Sequence, residues 1–112
     1  METFEAIRAV LAVREYSDKA VPQEIIQRVV EAAHVTASSQ NKQPWHFIVV
    51  QNRKTLREIA ALSPSGPYIA DAAFAVVVTV TPTPPAVSDA SRAIQSMVLA
   101  AWSEGVGSNW VG

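Results

Sequence analysis

Cysteine is absent from the 112 residues, which excludes disulfides, thiolate catalysis and cysteine-ligated metals. Histidine occurs twice, as His34 and His46, and neither stands at ligand spacing from a carboxylate, so no metal site is expected. An excess of either charge is also lacking. Nine Lys and Arg against ten Asp and Glu leave a net charge of −1, interspersed along the chain. That balance gives no electrostatic footprint for a nucleic-acid partner. Glycine is scarce, and Gly105-x-Gly107 follows a helical pattern and lacks the third glycine of a dinucleotide-binding turn. No serine sits in a nucleophile elbow. The apolar run Phe74–Val78 is far too short to span a bilayer, and the first residues do not form a signal peptide. These exclusions lead to the expectation of one cytoplasmic globular domain without a membrane partner. About half of its residues are apolar, enough for a packed core.

What is present is mostly periodic. Phe4, Ile7, Val10 and Leu11 recur at helical spacing, predicting a helix over Thr3–Ala12 capped by Thr3. Pro22 suits the first position of a second helix reaching Thr36, with Ile25, Ile26, Val29, Val30 and Ala33 as its apolar stripe. His46–Val50 reads as a short buried strand. Arg53–Leu62 returns to helical spacing, Tyr68–Ala72 suits a single turn, and Ala73–Thr81 reads as a central strand. The prolines after Thr81 end it. Ser88 is then expected to cap a helix ending near Glu104, apolar over enough of its circumference to meet a second subunit. Asn109-Trp110-Val111 looks like the start of another strand, so Gly112 falls in mid-element and the sequence is expected to be truncated there.

Between the second helix and the first strand lies the densest polar stretch, Ala37-Ser38-Ser39-Gln40-Asn41-Lys42-Gln43-Pro44-Trp45. A loop pinned between two rigid elements holds its side chains at fixed positions, as a binding site requires. Trp45 is expected to anchor it to the core.

Ser-Ser-x-Asn-x-Gln-Pro-Trp-x-Phe-Ile-Val-Val after an amphipathic helix resembles the FMN-dependent nitroreductase family. Arg14-Glu15-Tyr16-Ser17-Asp18-Lys19 resembles the tail of that family's N-terminal flavin segment, and Asp89-Ala90 through Ser108 resembles its central helix. The resemblance covers nearly all of this chain but only about the first half to two-thirds of a family domain. It implies an α+β fold: a mixed sheet with helices on both faces, completed in a homodimer. It implies FMN as cofactor, NADH or NADPH as electron donor, and a nitroaromatic, quinone or related small molecule as acceptor. By the same resemblance Ser38, Ser39 and Asn41 are cofactor-binding, reaching the flavin from the partner subunit, and Arg14 lies beside its pyrimidine or phosphate. No residue is expected to act as a nucleophile or an acid–base catalyst, because the flavin carries the electrons.

The chain departs from the family pattern in two places. Ala37 stands where proline is usual, and Val10-Leu11-Ala12 stands where Arg-Arg-Ser is usual. Losing two charge-assisted contacts weakens phosphate binding by a factor on the order of 10² to 10⁴ unless other groups compensate. A flavin-deficient relative, serving as a dimeric binding or regulatory domain, is therefore the alternative reading.

Overall fold

The computed structural model describes residues 1–112. Four helices and one antiparallel strand pair make the fold α+β: α1 (Thr3–Ala9), α2 (Gln23–His34), β1 (Trp45–Val50), α3 (Arg53–Ala61), β2 (Ala75–Val80) and α4 (Ala86–Ser103). Two 3-10 turns, Ser39–Asn41 and Pro67–Asp71, fall in the connections.

α2 and α4 form the framework. They run antiparallel, because Arg28 pairs with Glu104 at 2.7 Å while Thr36, eight residues on, donates its hydroxyl to Ser96 Oγ at 2.8 Å. Val29 and Ala33 of α2 meet Ala93, Met97 and Ala101 of α4 in a core closed by Trp45. Ala33 and Ala93 are fully buried, and their single methyl groups let the two backbones come close. Trp45, Phe47, Val76 and Val78 lay one face of the strand pair against this core. Trp45 pairs with Val80 and Val50 with Ala75, and Thr81 N–H donates to Pro44 O at 2.8 Å, extending the ladder back to the polar loop. α3 starts at Asn52, whose side chain accepts from Thr55 N–H. Arg53 ties it to the carbonyls of Ala70 and Ala72.

Several expectations are corrected. α1 is capped by the Glu2 carboxylate rather than Thr3, and it ends at Ala9, where Val10 turns extended. Its apolar stripe does not enter the core: Phe4, Ile7 and Leu11 are 66, 54 and 68% exposed, and only Ala6 is buried. Pro22 precedes α2 as its cap instead of opening it. α4 begins at Ala86 after Pro85, so Ser88 lies inside the first turn and caps nothing. Ala86, Ala90, Ala93, Met97 and Ala101 of α4 are buried within the chain, while Ile94, Val98, Leu99, Ala100 and Trp102 stay half-buried. β2 has a single neighbour, β1. The Asn109–Val111 segment forms no strand; the only parallel pairing is a one-residue bridge from Ala12 to Ser108, with Val13 N–H donating to Ser108 O at 2.9 Å.

Candidate functional site

The polar loop leaves the end of α2 and crosses the first turns of α4. Its backbone is unusual. Gln40, Asn41 and Gln43 adopt φ of 53°, 55° and 49°, left-handed conformations that L-residues other than asparagine rarely take. Two sets of contacts hold them. The Ser38 hydroxyl accepts from Gln43 N–H at 2.9 Å, closing the loop on itself. Ser39 N–H and Ser39 Oγ–H both donate to Asp89 Oδ1, at 3.0 and 3.1 Å, fixing the loop to α4. Arg92, one turn along α4, also donates to that oxygen.

Asp89 is 0% exposed. Burial alone raises the pKa of a carboxyl. Here the Ser39 N–H, the Ser39 hydroxyl and the Arg92 guanidinium outweigh burial and hold Asp89 below the ordinary aspartate range. Its second oxygen, Oδ2, has no hydrogen-bond partner in the chain.

The expected site residues therefore divide. Ser38 and Ser39 are half-buried, and their hydroxyls face the loop and α4. Asn41 and Lys42 are exposed on the outside of the turn. Trp45 is buried in the core beside Phe47, which makes it the loop's anchor.

Arg14 lies elsewhere, exposed just beyond the Ala12–Ser108 bridge. Gly107 is needed there, because a Cβ on it would sit 2.7 Å from Val13 Cγ2. Beside Arg14, Tyr16 donates to Val13 O at 2.7 Å and meets the Tyr68 ring edge-on at 6.1 Å. Burial and then Tyr68 push the Tyr16 phenol up, and the Arg14 charge opposes them. This corner borders a cavity of about 860 Å³ lined mostly by apolar groups of β2, the C-terminal half of α4 and residues 105–111. No residue of the polar loop lines it. At the upstream departure, half-buried Val10 and exposed Leu11 and Ala12 supply no cation.

For a flavin, the fit is partial. Hydroxyl, amide and carboxamide partners suited to the ring and ribityl chain are present on the loop, whereas residues 10–12 offer a phosphate nothing but backbone.

Sequence reasoning missed Asp89 as the loop's holder. Its signal was available: Asp89 is a carboxylate on the apolar stripe that also carries Ala86, Ala90, Ala93 and Met97.

Comparison with known proteins adds a family. The nitroreductase family model matches residues 8–83. A Methanothermobacter thermautotrophicus protein provisionally named NADH dehydrogenase/NAD(P)H nitroreductase is 38% identical over the whole of this chain. The chain spans 61% of that relative's length. An FMN-dependent nitroreductase of Clostridium difficile superposes with a TM-score of 0.93 at 26% identity, over 96% of this chain and 65% of its own. A Desulfovibrio desulfuricans structure, provisionally described as a nitroreductase in complex with FMN, superposes with a TM-score of 0.88 at 28% identity. It is matched over 98% of this chain and 67% of its own. With its helical framework, its pinned serine–asparagine loop and more than half its length matched by the family model, the chain belongs to the nitroreductase family.

Proposed function

We propose that the full protein of which these residues form part is an NAD(P)H-dependent flavin oxidoreductase, and that the Ser38–Asn41 loop is one half of its FMN site. The observation that carries this reading is the loop itself: three left-handed residues, closed by Ser38 and fixed through Ser39, with the Asn41 carboxamide exposed. A carboxamide both donates and accepts, which matches the mixed edge of a flavin ring. Arg14 is the cation for the pyrimidine or phosphate end. A positive charge there stabilises reduced flavin and raises its potential. On this reading the site is completed in a homodimer in which the loop of one copy meets the Arg14 corner of the other. The exposed side chains of Phe4 and Ile7 on α1, with Leu11 beyond its end, are the surface offered for that pairing. Bound FMN would supply the two-electron chemistry linking NADH or NADPH oxidation to reduction of a nitroaromatic, quinone or related acceptor.

The test is the visible spectrum and NAD(P)H oxidation of the full encoded protein. A yellow protein that oxidises NADH or NADPH in the presence of a quinone or nitroaromatic is expected. Colourless protein that takes up no added FMN would contradict the reading.

Val10-Leu11-Ala12 favours a second reading, a flavin-deficient dimeric binding domain. Introducing arginine at position 10 and serine at position 12 separates the two. On the enzyme reading FMN affinity rises; on the second reading the protein stays colourless.

A further inference from the structure

We propose that Asp89 is the positioning residue of the cofactor loop: its Oδ1 takes both donors of Ser39 and thereby fixes the left-handed turn that presents Asn41. The inference rests on the flavin reading for its functional consequence, but its geometric part stands on the contacts alone.

A buried carboxylate is a costly choice for the inner face of a helix. An apolar side chain of similar size packs equally well and needs no partners. Asp89 nevertheless occupies a stripe otherwise filled by Ala86, Ala90, Ala93 and Met97. Its contacts show what the charge accomplishes. One oxygen gathers three donors, two of them from Ser39, fifty residues away in sequence, while Oδ2 has none. The carboxylate is thus directed at the loop and not shared among the surroundings. Arg92 is half exposed and keeps the carboxylate charged without burying a second ion.

Ser39 is the residue immediately before the two consecutive left-handed positions, Gln40 and Asn41. Left-handed conformations cost L-residues free energy, and they persist only where their surroundings enforce them. Ser38 supplies one restraint, inside the loop. Trp45 anchors the far end of the loop in the core, and Asp89 supplies the only side-chain hydrogen bonds that join the loop to a helix, at the residue next to the left-handed pair, and so sets where Asn41 stands. Without it, the loop loses its reference to α4, and each FMN encounter must first reorder the turn.

The experiment uses the full protein in three variants. Asp89→Ala removes the acceptor. Asp89→Asn keeps an acceptor oxygen for Ser39. Leu56→Ala, in the core beneath α3, lowers stability far from the loop and serves as the control. FMN affinity is read by quenching of flavin fluorescence, and loop order by the rate of tryptic cleavage after exposed Lys42. Asp89→Ala is expected to lose at least tenfold in FMN affinity and to be cut after Lys42 at least tenfold faster. Asp89→Asn is expected to stay within about threefold of wild type on both readouts, and Leu56→Ala to bind FMN normally at a lower Tm. Unchanged cleavage after Lys42 in Asp89→Ala overturns the proposal, as does equal loss in the Ala and Asn variants. If Asp89→Ala does not fold, Asp89→Ser takes its place, since a small hydroxyl can bond back to its own helix. Wild-type protein that binds no FMN would sink the flavin reading, while the cleavage rates would still decide whether Asp89 holds the loop.

Discussion

At the scale of single residues, Asp89 links acidity to stability. Its folded-state pKa lies below that of an unfolded aspartate, about 3.9. The stabilisation is therefore complete above that value and is lost as pH falls through the lower, folded one. Thermal melts of wild type and Asp89→Asn should differ most at neutral pH and converge as pH falls below about 4 and through the lower, folded-state pKa. A gap independent of pH would show that the charge contributes nothing. The left-handed residues make a second test. Gln40 is exposed, so changes there report on the backbone. Gln40→Val should be less stable than Gln40→Gly by roughly 1–2 kcal/mol in denaturant unfolding, because a β-branched side chain crowds that conformation. Little of this was legible beforehand. Ser38, Ser39 and Asn41 stood out as polar groups in a loop, but nothing in their order says that both serine hydroxyls turn inward. For Ser39 that depends on a carboxylate fifty positions later, and for Ser38 on the Gln43 N–H that the left-handed turn brings round.

At the scale of elements, legibility followed the source of the apolar pattern. α2 was readable because its stripe is buried by its own chain, and the strand runs were readable from their β-branched residues. α1 was misread at its end. Its periodicity through Leu11 is real, but the backbone turns extended at Val10 to reach the Ser108 bridge, and a tertiary pairing overrides local propensity. The start of α4 was misplaced for a related reason: Pro85 and Ala86 open the helix although neither is a good cap, while Ser88, a good cap by type, lies within it. The antiparallel α2–α4 pair rests on alanines. Ala93→Leu should lower stability by about 1–3 kcal/mol, since its methyl is fully enclosed and extra carbons must displace α2. Leu56→Ala, at a fully buried leucine, should cost about 2–5 kcal/mol. Both are read from urea midpoints at constant slope, and a loss below 0.5 kcal/mol in either would mean that the packing described is loose.

At the scale of the whole molecule, the family was legible from one motif and the arrangement of the site was not. The cavity of about 860 Å³ beside Tyr16 and Ser108 excludes the loop altogether. If the proposed homodimer pairs through the exposed apolar residues Phe4, Ile7 and Leu11, Ile7→Glu with Leu11→Glu should convert it to a monomer in light scattering of the full protein. A doubled mass that persists in the variant would place the interface elsewhere. The most direct test of the central claim, that the serine–asparagine loop holds a flavin, is FMN binding by the full protein with and without the Asn41 carboxamide. Loss of a hydrogen bond worth about 1–1.5 kcal/mol predicts that Asn41→Ala binds FMN roughly tenfold more weakly, with only the small fall in Tm that alanine costs at a left-handed position. Equal affinity in the two proteins would contradict the account.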